Sequence, residues 1–400
     1  MANRARNFWQ RISDGITLQQ LWSQLSVEAR ASYRLYSAEV DWARVRNEKR
    51  SRRAQRVISA LFWAMVMKLS PARRVLLVAA LIMLFFFGIY FRSRNFEFQI
   101  PNLAFLSAIL LFVLLAFELA DRVTMKRDLE IAKEIQTWLM PAAAPQVPGV
   151  EIAFSTRPAN TVAGDYYDTF LRSSTEADSE TCPPLLLIVA DVAGKSVPAA
   201  LLMATLQASL RTLAAVCASP LDLVQRLNRY CCEQNIGRKR FTTAFLAQFD
   251  PQTRQLTYVN AGHNWPVLRR ASGAVERLET GGVPLGLMPN AHYESAEVSL
   301  APGDLLVVFT DGLVEAENIE EQEYGEARMF ATLAMCPGAS ASEVLRNLMG
   351  SADQFSGGAP QHDDITCLIM RVLPAEPQAR RQSLANIVPV LAESTRTHMS

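Results

Sequence analysis

The chain has 400 residues, 50% of them apolar, with 40 Lys and Arg against 39 Asp and Glu. A net charge of +1 excludes a global basic field for nucleic acid, and the length admits a membrane module plus one domain of roughly 200–250 residues. Six cysteines, at 182, 217, 231, 232, 336 and 367, form no C-x-x-C pair and no regular framework, so they read as reduced thiols.

The start is polar and basic and lacks the early apolar core of a signal peptide. Residues 1–74 hold fifteen Lys and Arg against five Asp and Glu, a basic arm that is either solvated or touches anionic lipid. The apolar run 57–69 is thirteen residues, too short to span and suited to an interfacial helix. Residues 75–91, VLLVAALIMLFFFGIYF, are seventeen without a charge. At ~1.5 Å per residue such a run approaches the ~30 Å hydrocarbon thickness. A short loop with Arg92, Arg94 and Glu97 leads to Pro101 and a second run, 101–117. Together 75–117 predict a transmembrane helical hairpin. Lys68, Arg73 and Arg74 before it, and Arg122, Lys126 and Arg127 after it, put both termini in the cytoplasm.

Residues 118–140 predict a charged helix with Leu129, Ala132, Ile135 and Leu139 on one face. It serves either as a linker packed on its own domain or as a short coiled coil in a homodimer. The Pro/Ala-rich stretch 141–148 marks a boundary. A domain over 141–373 follows, with strands expected at 150–157, 185–190, 244–250, 255–260, 266–270, 304–309 and 365–372. Helices are expected at 197–216, 220–235, 326–335 and 342–355. Strands outnumber helices, which fits an α+β arrangement of antiparallel sheets flanked by helices. Residues 171–184 read as a polar loop and 374–400 as a mostly disordered tail.

The chemistry centres on LLLIVADVAGKS, 185–196, where a buried strand delivers Asp191 to a Gly-containing turn. Asp165 in GDYYD, Asp311 in TDG, and Asp363 and Asp364 in DDIT repeat the pattern. Any one of them alone reads as an ordinary turn aspartate. Brought together they would repel, by about 4 kcal/mol per pair at ~4 Å and an effective dielectric of 20, and would need cations or protons. An all-oxygen set selects Mg²⁺ or Mn²⁺ over zinc. Two such ions activate a water and clamp a phosphate.

The segments VAGDYYD, IVADVAGKSVPAALLMA, RFTTAFLAQFD, YVNAGHNWPVL, GGVPLGL, LAPGDLLVVFTDGLVEAEN and DDITCLIMRV, with IAKEIQTWLMP upstream, resemble the RsbU/SpoIIE branch of PPM-type metal-dependent serine/threonine protein phosphatases. The resemblance runs from about residue 129 to 372. It implies an antiparallel β-sandwich flanked by helices, with two Mn²⁺ or Mg²⁺ ions at one edge. By motif, Asp191 matches the bridging carboxylate and Val192 supplies a ligating carbonyl. Asp165, Asp311 and Asp363 match the other acids, and Asp364 is a neighbouring ligand candidate. The implied substrate is a phosphorylated STAS-domain anti-sigma factor antagonist in a partner-switching circuit. The implied setting is a bacterial inner membrane, with the catalytic domain in the cytoplasm and the hairpin in the place of a sensor.

Two departures stand out: Ala163-Gly164 where the family pattern pairs glycines, and Ser196 where it has a third glycine-rich position. A positive φ at Ser196 would strain the turn. His263, in AGHN, is either a proton-transfer group or a residue that fixes a turn. Gly194-Lys195-Ser196 resembles a P-loop, but Val189 stands where its first glycine belongs. Cys232 and Arg238 have the spacing of a cysteine phosphatase without its loop. Two rival readings are a catalytically idle membrane scaffold and a metal phosphohydrolase of small molecules.

Overall fold

The computed structural model describes residues 57, 59–60, 62–64, 66–85, 91–93, 96–98, 103–172, 182–234 and 240–374. The basic arm up to residue 56, most of the loop at 171–184 and the tail after residue 374 lie outside them. The chain divides into two compact units, Met1–Met125 and Lys126–Ser400.

In the first unit, helix α1 (Pro71–Phe85) and the start of helix α2 (Leu103–Leu139) run antiparallel. Ser107 Oγ donates to the Ala80 carbonyl at 2.8 Å, and Arg73 reaches Asp121 at 2.6 Å and Glu118 at 3.3 Å. The connection holds a two-stranded ribbon, β1 (Phe91–Ser93) with β2 (Phe96–Phe98). Of the expected span 75–91, residues 75–85 are helical, 86–90 lie outside the described residues, and Phe91 stands in a strand. The expected second run and the charged helix 118–140 lie on one helix of 37 residues, α2. Among the described residues, α2 and Val197–Ala214 are long and apolar enough to cross a membrane. The second of these owes its apolarity to burial in the core described next.

The second unit is a sandwich. One sheet runs β10-β7-β6-β5-β4, with β11 also on β7; the other runs β3-β13-β12-β8-β9. Their strands are β3 (Val150–Arg157), β4 (Tyr166–Leu171), β5 (Leu185–Val192), β6 (Thr242–Asp250), β7 (Gln255–Ala261), β8 (Val267–Arg269), β9 (Val275–Arg277), β10 (Gly281–Gly282), β11 (Ala296–Ser299), β12 (Leu305–Phe309) and β13 (Ile365–Val372). Pairing is antiparallel except where β10 joins β7. Helices α3 (Val197–Ala214) and α4 (Pro220–Gln234) cover the first sheet, and α6 (Gly325–Ala334) and α7 (Ala341–Ser356) cover the second, after the short α5 (Asp311–Val314).

The two-residue period of a strand explains the layers. In β5, Leu186, Ile188 and Ala190 pack on α3 and α4, while Leu185, Leu187 and Val189 pack on Leu306, Val308, Leu368 and Met370 of the other sheet. Both faces are buried, so the strand reads as an unbroken apolar run. In β12 and β13, Leu305, Val307, Phe309, Cys367 and Ile369 face α6 and α7 instead. Seven expected strands and four expected helices are present. The sequence reading missed β4, whose YYDTFL carries a charge in mid-strand, and the short β9, β10 and β11.

That charge is Asp168, fully buried. Arg211 of α3 grips it with two bonds of 2.7 Å while stacking on Phe170, and the Tyr166 hydroxyl adds a third at 2.7 Å. Breaking a buried pair leaves an uncompensated charge. Arg211→Leu is expected to destabilise the unit by about 3 kcal/mol in urea unfolding, whereas loss of the exposed i,i+4 pair Asp222–Arg226 is expected to leave the unfolding midpoint unchanged.

Candidate active site

Both sheets end in aspartates at the same edge. Asp165 precedes β4, and Tyr166 pairs with Ala190, so Asp165 comes opposite Asp191. Asp311 follows β12 and Asp363 precedes β13, and Phe309 pairs with Cys367, which brings those two turns side by side. Strand alternation then sorts the acids. Asp191 follows Leu187 and Val189 on the inter-sheet face, whereas Asp311 opens the short helix α5 just after β12.

Two contacts join the sheets here. Thr310 Oγ1 donates to Asp165 Oδ2 at 2.9 Å, and receives the Thr366 backbone N–H at 2.9 Å. Asp364 accepts backbone N–H groups on both oxygens, from Ala159 at 2.7 Å and Gly164 at 2.6 Å. Asp364 therefore fastens the loop before Asp165, and much of its lone-pair capacity is already used. Two glycines permit the close approach. A Cβ on Gly312 would lie 2.1 Å from the Asp364 carbonyl oxygen; one on Gly164 would lie 3.2 Å from the Val192 carbonyl.

The electrostatics show which carboxylates share a field. Burial first, then the charge of Asp191, holds Asp165 well above the usual carboxylate range. Asp191 is pushed up to about 7 by burial and by Asp311, Asp363 and Asp364, with Lys195 pulling the other way. Asp311 is raised by burial and then by Asp363. Lys195 Nζ lies 2.9 Å from Asp363 Oδ2 and donates to the His362 carbonyl at 2.6 Å. Among the described residues, no three His, Cys, Asp or Glu side chains are drawn together tightly enough to constitute a metal site as they stand. The donor chemistry nevertheless fits a hard divalent ion: aspartate oxygens from two sheets, with Lys195 as the cation among them. A cavity of about 490 Å³ opens beside them, lined by Arg157, Lys195, Gly312, Glu315, His362 and Asp363 among others.

His263 answers the question left by its motif. It is 4% exposed, its ring Nδ1 meets Thr243 Oγ1 at 3.0 Å, and its backbone N–H donates to Asn260 Oδ1 at 2.7 Å. Burial lowers its pKa to about 4, so the ring is neutral and fixes the turn. The sequence reading passed over Thr310, Thr366 and Lys195 as site residues, although each sits inside a quoted motif. Their signal was the fixed offset from an aspartate.

An antiparallel sandwich layered by helices on both faces is a PP2C-like fold, and similarity to phosphoserine phosphatases makes the chain a serine/threonine phosphatase, a hydrolase. Residues 184–373 match the family model described as Stage II sporulation protein E (SpoIIE). Phosphoserine phosphatase RsbU of Bacillus subtilis is 29% identical over 249 residues, 62% of this chain and 70% of that protein. Protein IcfG of Synechocystis is 27% identical over 285 residues, 64% of this chain but only 43% of that protein. The solved PP2C domain of SiaA from Pseudomonas aeruginosa shares the fold, with a TM-score of 0.54 at 23% identity, covering 63% of this chain and 98% of that domain.

Two predictions follow from the edge. Asp191 keeps its proton in the folded state up to about 7, against 3.8 ordinarily. The folded state therefore binds the extra proton across that window, and stability falls as pH rises through it. With chelator present, the melting temperature is expected to decline from about pH 4 to about pH 7 and then level off, and Asp191→Asn to flatten the decline. Separately, Ser196 adopts φ 64°, ψ −151°, a region that suits glycine, and its side chain makes no capping bond to α3. Ser196→Gly is expected to stabilise the unit by about 1 kcal/mol in urea unfolding.

Proposed function

We propose that this chain is a metal-dependent phosphatase that hydrolyses phosphoserine or phosphothreonine on a STAS-domain regulator of a partner-switching circuit, working at the cytoplasmic face of a bacterial inner membrane. The observation that carries this reading is the convergence of Asp165 and Asp191 from one sheet with Asp311 and Asp363 from the other, beside an open cavity. Asp165, Asp191, Asp311 and Asp363, with the Val192 carbonyl, would hold two Mn²⁺ or Mg²⁺ ions. Such ions, when bound, supply an activated water and a clamp for phosphate oxygens.

The chain's own residues supply the rest. Thr310 fixes the rotamer of Asp165, Asp364 holds the loop before it, and Lys195 keeps Asp363 in place. The cavity receives the peptide on either side of the phosphorylated residue. Glu315 lines it, and burial together with Asp311 and Glu323 raises its pKa. The buried His263 does not reach the cavity.

The apolar residues Phe105, Ile109, Phe112 and Leu115 of α2 are exposed, which supports membrane contact. Ile131, Ile135 and Trp138, also exposed at spacings of four and three, support a homodimer through the later turns of α2.

The test is phosphate release by the full chain from a phosphorylated STAS protein and from p-nitrophenyl phosphate. Mn²⁺-dependent release from the protein, lost in Asp191→Ala and Asp311→Ala, is expected. No release from either substrate would leave a binding scaffold, and release from the small ester alone would leave a small-molecule hydrolase.

A further inference from the structure

The far end of the second sheet carries a row of residues that the aspartate edge does not use. Arg269 of β8, Leu305 of β12, Arg371 of β13 and Glu151 of β3 stand level with one another across the strands. Leu305 packs on the face covered by α6 and α7, and residues level with it on neighbouring strands share that face. Strands lie ~4.8 Å apart, which roots Arg269 and Arg371 about 10 Å from each other with Leu305 between them. Arg371 stands near the end of β13 remote from Ile365, roughly 20 Å along the strand from the aspartates at ~3.4 Å per residue.

A cavity of about 440 Å³ opens over this row, a volume in the range of small-molecule sites. Arg269, Arg270 and Arg371 line it, Val275, Phe330 and Leu333 give it apolar walls, and among the described residues no Asp or Glu lines it. The three arginines are not equally engaged. Arg270 is matched by Glu276 at 2.7 Å and by Asp304 at 2.8 Å. Arg269 donates to the main-chain carbonyls of Leu333 and Cys336, which carry no full charge. Arg371 has no hydrogen bond or ion pair among the described residues and acts on Glu343 only at longer range. Glu151, beside it on β3, accepts the Ala341 N–H at 3.1 Å. Two guanidinium charges thus face one half-closed space with no carboxylate in its walls to answer them. A guanidinium pairs best with an oxyanion that can accept two of its N–H groups at once.

We infer that this cavity is an anion site that takes a small organic phosphate, with the phosphate oxygens held between Arg269 and Arg371 and the apolar body against Phe330 and Leu333. A phosphate suits two forks rooted about 10 Å apart better than a carboxylate does, because its oxygens face more than one direction. The site is separate from the aspartate edge, and the inference does not depend on the metal-dependent reading above.

The test is calorimetric titration of the full chain with adenosine monophosphate in the presence of a chelator, so that no divalent ion draws the phosphate to the aspartates. Saturable binding at one site is expected. Arg371→Met keeps the side-chain length and removes the fork; it is expected to weaken binding about 10-fold or more at an unchanged melting temperature. Arg371→Lys, which keeps the charge, is expected to weaken it less. Adenosine is expected not to bind, and inorganic phosphate to bind more weakly than the nucleotide. Absence of nucleotide binding, full affinity in Arg371→Met, or adenosine or inorganic phosphate binding as tightly as the nucleotide would each overturn the inference.

Discussion

Carboxylates that repel one another are gathered at the one edge where two sheets meet, and most of the domain's polar construction follows from that. Asp165, Asp191 and Asp311 are all pushed toward their protonated forms by burial and by one another. Like charges in a half-buried setting separate unless something holds them. Here the holding is done by Thr310, Thr366, Lys195 and the Ala159 and Gly164 amides. Thr310 and Lys195 lie in turns that follow buried strands, Thr366 lies in β13 itself, and the Ala159 and Gly164 amides belong to the loop between β3 and β4. The apolar core thus has a functional consequence: it makes the strand ends immobile enough to keep acids where solvent alone would not.

The turns pay for this closeness in backbone freedom. Gly312 lets the Asp364 carbonyl come within a distance that any Cβ would block, and a Cβ at Gly164 would press on Ala199 and the Val192 carbonyl at 3.2 Å. Ser196 accepts a strained φ at the mouth of α3, in the same turn that places Lys195 against Asp363. Strain of about 1–3 kcal/mol persists only where surrounding contacts over-determine the conformation. The pairing of β5 with β6 on one side and the start of α3 on the other does so here.

Polar groups in the interior divide into two kinds. Asp168, Arg211 and Tyr166 form a network on the helix side of the first sheet, close in sequence to Asp165 but turned to the other strand face. At the edge, Asp165, Asp191 and Asp311 have raised pKa values, a pattern found where charge is kept for chemistry rather than for packing. His263 looked ambiguous in its motif; it is held inside the sheet through Nδ1 on Thr243 and its backbone N–H on Asn260, while its buried Nε2 has no hydrogen-bond partner.

The order of elements was legible in the sequence because apolar periodicity is a local property. Residues 185–190, 305–309 and 365–372 announce doubly buried strands, and 197–214 a helix, from composition and turn residues alone. The candidate ligands were legible because each aspartate sits at a strand end beside a glycine or a second acid. What the sequence left open was settled by contacts between distant segments. Asp363 and Asp364 are adjacent and chemically identical. Only the register of β13 against β12, and alternation across the sandwich, turns one toward Lys195 and the cavity and the other toward the amides of Ala159 and Gly164. Strand β4 escaped the sequence reading because its central Asp168 is neutralised by Arg211, 43 residues away. Gln136 lies in the quoted segment IAKEIQTWLMP, but its two bonds to the peptide group of Ala163, 27 residues on, are set by the fold.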